Sequence, residues 1–208
     1  MTKPPRPFQK NPSSKTRPID NPRGDLKKVQ RRINRMLLRP TCFPDNMFGA
    51  VPRRSVMDNA ELHLKASLLV TIDVKSCFPS ITNVHVYSVW RNFLGCSTEV
   101  ASILTKLTTF DRHLPQGAAT SPLLSNLFIW MIDEPIRSAC DERSVIYSTW
   151  IDDLAFSSGR SCEMISRSAK ILQHHGLRIS RSKVKIMGPR EIKLLTGTRL
   201  GNTSIRAP

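Results

Sequence analysis

One stretch constrains the fold more than any other: Val145-Ile-Tyr-Ser-Thr-Trp150 and Leu154-Ala-Phe-Ser157, joined by Ile151-Asp152-Asp153. Two runs rich in β-branched and aromatic residues meet at an acidic tip, the pattern of a β-hairpin. Upstream, Leu68-Leu-Val-Thr-Ile-Asp73 is a short apolar run that also ends in a carboxylate, and it reads as a buried strand. Antiparallel pairing of the two would bring Asp73 beside the hairpin tip. Buried carboxylates next to apolar strands are costly unless a cation compensates them. Such a cluster is a hard, oxygen-rich site suited to Mg²⁺. Two such ions would activate an attacking 3′-oxygen and stabilise a leaving pyrophosphate. An Asp-Asp turn and a strand-end Asp are equally commonplace in structural roles, and the pattern alone leaves both readings open.

The charge distribution points to a polyanion. The 208 residues hold 32 Lys and Arg against 16 Asp and Glu, a net charge of +16. Residues 1–40 carry 12 basic and 2 acidic side chains, and residues 160–208 carry 11 and 2, whereas 41–159 carry 9 and 12. Basic flanks around an acidic centre suit a nucleic acid held at its phosphates. A solvated basic surface is the plainer alternative. The longest apolar run, Leu127 to Ile132, is too short for a membrane span, and the N-terminus lacks the apolar segment of a secretory signal. Five scattered cysteines without a Cys-x-x-Cys argue against a disulfide framework or zinc site and point to a reducing cytoplasm.

Residues 1–24 carry six prolines and read as an extended basic arm. A helix follows, with Leu26, Val29, Ile33, Met36 and Leu37 on its apolar face, Lys27, Lys28, Arg31, Arg32 and Arg35 opposite, Asp25 as N-cap and Pro40 as stop. Further helices are predicted over 55–65, 83–94, 98–108, 121–136 (capped by Ser121-Pro122) and 162–175. Strands are predicted over 177–180, 184–187 and 194–200. The irregular alternation argues for an α+β fold with a mostly antiparallel sheet.

Asp73-Val-Lys-Ser-Cys-Phe-Pro-Ser-Ile81, Leu114-Pro-Gln-Gly-Ala-Ala-Thr-Ser-Pro-Leu-Leu-Ser-Asn126 and Tyr147-Ser-Thr-Trp-Ile-Asp-Asp-Leu154 resemble three ordered motifs of reverse transcriptases. Thr16-Arg-Pro-Ile19 and Leu26-Lys-Lys-Val-Gln30 resemble the fingers entry, and Gly176-Leu-Arg-Ile-Ser-Arg-Ser-Lys183 resembles a later palm motif. Asn59-Ala-Glu-Leu-His63 and Leu195-Thr-Gly197 are similar to retron-type signatures. The resemblance covers residues 15–200 or so. It implies a right-hand polymerase, with a ferredoxin-like antiparallel palm sheet over 67–200, fingers over 25–66 with part of 1–24, and a tail over 201–208 with no thumb.

The resemblance implies Asp73 and Asp152 as ligands of two Mg²⁺ ions (Mn²⁺ being a possible substitute), with the Val74 carbonyl assisting and Asp153 alongside. Phe78 matches an aromatic gate beneath the sugar, which would favour deoxynucleotides over ribonucleotides; without the motif it reads as a core aromatic. Gln116 and Gly117 would meet the incoming dNTP, Gly117 by allowing close backbone approach. Arg17, with Lys15 as its substitute, would grip the triphosphate. Lys183 matches a lysine proposed to protonate pyrophosphate, or it is a phosphate contact. Asn59 and His63 share a helix face and would position RNA or the fold around it, and Lys27, Lys28 and Arg31 are candidate RNA contacts. Trp150 stands where the family has Tyr, Ser180 where it has Asn, and Ala119 and Leu195 where Pro and Val are usual; no metal ligand is lost.

The implied function is RNA-directed DNA polymerisation with an RNA template and primer, a DNA product and dNTPs, retron-like and linked to phage defence. A thumb-supplying or effector protein is an implied partner. The alternatives are a group II intron-type or standalone defence reverse transcriptase, and a non-catalytic RNA-binding scaffold. An RNA-dependent RNA polymerase is disfavoured by Phe78.

Overall fold

The computed structural model describes residues 19–201 and 205–206. Helix α1 (Gly24–Ile33) runs into a π-helical turn (Asn34–Leu38), and α2 (Val56–Leu62) precedes strand β1 (Leu69–Asp73). Then come α3 (Cys77–Ser80), α4 (Asn83–Ser88) with a second π-helical turn (Val89–Phe93), α5 (Thr98–Thr108), α6 (Ser121–Ile132) and α7 (Glu134–Asp141). The hairpin β2 (Ile146–Trp150) and β3 (Asp153–Ser157) follows, then α8 (Glu163–His174), a 3₁₀ turn (Arg181–Lys183) and β4 (Lys185–Met187). Strands β5 (Lys193–Leu195), β6 (Thr198–Leu200) and β7 (Ile205–Arg206) close the described chain.

Strands β2, β3, β1 and β4 lie in that spatial order, every pairing antiparallel. With helices between β1 and β2 and between β3 and β4, this is the ferredoxin-like topology expected of a palm. A core of Leu, Ile, Val and aromatic side chains fills the space between the sheet and the helices. Phe156 from β3, Leu124 and Phe128 from α6 and Trp90 from the second π-helical turn are all buried in it. With apolar residues at nearly every inward position, the carboxylates of the palm sheet stand at its strand ends, Asp73 closing β1 and Asp153 opening β3.

Several local expectations need correction. Arg23, not Asp25, precedes the first helical residue, and Asp25 sits in the first turn, where its charge favours the helix dipole. The buried face of this segment is Gln30, Ile33 and Leu38, while Leu26, Val29, Met36 and Leu37 are exposed. The π-helical turn adds a residue to the winding, which rotates Leu38 inward and defeats a 3.6-residue count. The helix begun at Ser121 stops at Ile132, and α7 restarts with Pro135 in its first turn, where a missing N–H costs nothing. Ser121 does not cap α6; its hydroxyl donates to the Pro115 carbonyl at 2.7 Å.

Residues 177–180 form no strand but run beside the end of β1, with a bridge from Ile179 to Val74, just past the strand. The run 194–200 is two strands, because Thr196 and Gly197 turn the chain with φ of 46° and 79°. The predicted tail over 201–208 contains β7, paired with β6 in a three-stranded sheet. Of the predicted arm over 1–24, residues 1–18, including Lys15 and Arg17, lie outside the described residues.

Candidate active site

The register of the palm sheet does what the sequence asked of it. Asp73, the last residue of β1, is the direct cross-strand partner of Asp153, the first of β3. Side chains directly opposite in an antiparallel pair stand roughly 4.5–5.5 Å apart at Cβ, and like charges there repel. The Val74 N–H donates to the Asp152 carbonyl at 2.8 Å, locking the hairpin tip onto the end of β1. The Asp73 carbonyl accepts from the Ser180 N–H at 2.8 Å, which fixes the segment leading to Lys183. Lys183 Nζ then reaches Asp73 Oδ2 at 2.6 Å.

The electrostatics record the crowding. Burial first, and then the charges of Asp152 and Asp73, push the Asp153 carboxyl up to about 6, against the pull of Lys183 and Lys185. The Cys77 thiol, raised to about 12 chiefly by burial, also feels Asp152 and Asp73. Among the described residues no three acidic, His or Cys side chains are gathered closely enough to hold an ion as they stand. The chemistry nonetheless fits a divalent cation: hard oxygen donors, mutual repulsion, and an ammonium group drawn onto one carboxylate. A cleft of about 350 Å³ opens beside Asp73 and Asp153, lined by Thr71, Lys183, Lys185 and the β5–β6 turn. Of the lining residues, Thr196 belongs to the Leu195-Thr-Gly197 motif, whereas Lys185 was not singled out in the sequence. Alternation from Lys183 across the β4 boundary was the available signal for Lys185.

The remaining candidates divide. Phe78 lies on α3 directly after β1, half-buried against the core, and Cys77 Sγ contacts Ser125 Oγ of α6 at 3.3 Å. Gln116 is half-buried and Gly117 exposed, in the loop before α6. Gly117 has φ of 116°, and a Cβ there would lie 2.9 Å from Ile19 Cγ2. The close approach that requires glycine is thus already made by the chain's own residues. On α1, Arg31 and Lys28 are exposed, Lys28 pairing with Asp25 at 3.0 Å, while Lys27 is half-buried and donates to Asn21 Oδ1 at 3.4 Å.

Asn59 and His63 require a correction. Both are 1% exposed, so neither can touch RNA. His63 Nδ1 is 2.7 Å from Ser157 Oγ and Nε2 is 2.8 Å from Ser148 Oγ, and Ser148 donates to Asn59 Oδ1 at 2.6 Å. The shared helix face is correct, but it points into the sheet: the polar pair serves the fold.

The profile of the reverse transcriptase (RNA-dependent DNA polymerase) family matches residues 8–198. The Retron Ec86 reverse transcriptase of Escherichia coli is 31% identical over 192 residues, covering 91% of this chain and 60% of that protein. The Retron Se72 reverse transcriptase of Salmonella heidelberg is 27% identical, covering 79% and 44%, and the Retron Mx65 reverse transcriptase of Myxococcus xanthus is 27% identical, covering 92% and 49%. The chain thus spans between 44% and 60% of the lengths of these three relatives. Among solved structures, apo telomerase from Candida tropicalis, truncated from its C-terminal domain, superposes with a TM-score of 0.61 at 11% identity, over 88% of this chain and 45% of that one. At that identity the likeness speaks to fold.

Proposed function

Since the chain belongs to the reverse transcriptase family, and to its retron type, we propose that it joins deoxynucleotides to a primer end on an RNA template at the Asp73–Asp152–Asp153 tip. The observation that carries this reading is the β1–β3 register, which sets Asp73 opposite Asp153 at the mouth of a cleft flanked by Lys183 and Lys185. Asp73 and Asp152 would hold two Mg²⁺ ions, with Asp153 and the Val74 carbonyl beside them. When bound, such ions lower the pKa of the attacking hydroxyl and stabilise charge on the leaving group. Lys183 would let go of Asp73 and turn its ammonium toward the pyrophosphate as negative charge develops there. The Phe78 ring would limit room at the sugar, and Gln116 would orient the nucleotide. Basic side chains of α1, with Arg178 and Arg181, would bear on template and product phosphates.

The test is primer extension on an RNA template with Mg²⁺ and dNTPs. Incorporation that disappears with chelator, and with Asp73→Asn, supports the reading; incorporation untouched by Asp73→Asn removes this site from the chemistry. Phe78→Val should admit ribonucleotides while leaving dNTP use substantial. An unchanged preference would return Phe78 to the core.

A further inference from the structure

The turn that carries Asp152 is held on two sides, and only one side is the palm sheet. On the sheet side, the Val74 N–H binds the Asp152 carbonyl. On the other, the loop of residues 43–51 runs alongside β2 and makes a short parallel bridge, Met47 to Thr149. The Thr149 N–H donates to the Asn46 carbonyl at 2.7 Å, and the Phe48 N–H donates to the Thr149 carbonyl at 2.9 Å. Gly49 then lies against the turn itself. A Cβ on Gly49 would stand 2.6 Å from Ile151 Cγ1, 2.7 Å from Ile151 N and 2.9 Å from Trp150 C.

Two of those three atoms are backbone, so no rotamer change relieves the overlap. Gly49 is not in the left-handed region; what it supplies is space. Ile151, by contrast, holds φ of 57°, an uncommon value for a β-branched residue. The loop is itself built for rigidity. The Arg54 guanidinium donates to the carbonyls of Phe43 at 2.8 Å, Met47 at 2.5 Å and Pro44, and to Asp45 Oδ1 at 3.2 Å. It also lies 5.8 Å from the centre of the Phe48 ring. From the opposite direction, Asn126 Nδ2 of α6 donates to the Gly49 carbonyl at 2.6 Å.

We propose that the 43–51 loop, clamped by Arg54, sets the position of the Asp152 carboxylate, with Gly49 acting as a positioning residue through Ile151. This rests on the proposed role of the Asp73–Asp152–Asp153 tip. The contact falls on the two residues directly before Asp152, so any shift it forces is delivered to the reacting centre. A displacement approaching 1 Å at such a centre costs about 10²-fold in rate.

The test uses the full chain, Gly49→Ala and Arg54→Lys, with four readouts: Mn²⁺ affinity from the free-ion EPR signal, single-nucleotide incorporation, RNA–primer duplex binding and the thermal midpoint. Gly49→Ala should weaken Mn²⁺ binding about 10-fold, as the loss of a supporting partner does at metal sites. It should slow incorporation by about 10²-fold while leaving duplex binding unchanged. Arg54→Lys, which keeps the charge and loses the planar fork, should move the same two quantities in the same direction by less. Unchanged Mn²⁺ affinity and rate in a folded Gly49→Ala protein overturn the proposal. So does a loss of rate matched by equal losses of duplex binding and thermal midpoint in both variants. If Gly49→Ala does not fold, Arg54→Lys decides by the same criteria. A wild-type chain that binds Mn²⁺ but incorporates nothing defeats the polymerase reading, while the Mn²⁺ affinities still judge the positioning role.

Discussion

The two ends of the β2–β3 hairpin treat polar groups in opposite ways. Along its shaft, Ser148 and Ser157 enclose the His63 ring, and both ring nitrogens have a partner. Ser148 spends its hydroxyl proton on Asn59 Oδ1, so it accepts from His63 Nε2–H, and Nδ1 in turn accepts from Ser157. The ring is neutral, and burial pushes it down to about 4. At its tip, Asp153 faces Asp73 across the register, and its carboxyl is pushed up to about 6. The His63 ring is satisfied within the chain, whereas the tip gathers three carboxylates beside two lysines. A buried polar group with every partner present specifies a structure. A carboxylate such as Asp153, held back from ionising by burial and by two neighbouring acids, marks a place where a cation belongs.

The sharpest way to break this contrast is to neutralise the tip. Asp152→Asn should reduce dNTP incorporation by more than about 100-fold, beyond the usual effect of losing an outer-shell partner at a metal site. Duplex binding and the folded state should survive, because one of three repelling carboxylates has been removed. Steady-state incorporation and an unfolding curve on one preparation check both halves. Unfolding without added denaturant would mean that the tip, and not only the shaft, holds the sheet together.

The shaft should fail in the opposite sense. His63→Ala leaves the Ser148 and Ser157 hydroxyls buried with an unmet bond each and opens a cavity, which together cost about 2–4 kcal/mol. Incorporation per folded molecule should be retained, as measured by activity normalised to the folded fraction. A selective loss of RNA binding in a fully folded His63→Ala protein would restore the RNA-contact role that its burial denies.

These ends also differed in how legible they were. The tip could be read because strands buried on both faces are nearly continuous apolar runs, against which Asp73, Asp152 and Asp153 stand out. The antiparallel register then followed from simple adjacency. The shaft stayed open between RNA and fold because Asn and His four apart on a helix look the same whether the face meets solvent or a sheet carrying serines. Gly49 was invisible for a related reason: its requirement is space beside Ile151, about a hundred residues away. The π-helical turn at Asn34–Leu38 escaped a search tuned to 3.6 residues. By contrast, the break at Asp133 and the turn at Thr196-Gly197 had local signals in Pro135 and the glycine, which longer apolar patterns overrode.

The smallest expected effect concerns pH, and it pits the shaft against a third buried group. Asp133, 0% exposed at the α6–α7 junction, is pushed up to about 6 by burial, although Arg137 Nε pairs with it at 2.9 Å. A depressed histidine contributes stability that is present above its unfolded value of 6.5 and is lost as pH falls through about 4. A raised carboxyl works in reverse: its contribution is full below 3.8 and lost as pH rises through about 6. Between pH 6.5 and 4 the two terms oppose each other, each changing by about 2–3 kcal/mol. Asp133→Asn removes only the gain on acidification, so the variant should lose stability about 2 kcal/mol faster than the wild type over that window. The altered Arg137 contact shifts both ends of the comparison alike and cancels from the slope. Denaturant midpoints taken from pH 6.5 to 4 measure it. Parallel curves for the two proteins would mean that Asp133 keeps its charge state across the window, and that Arg137 outweighs burial at that junction.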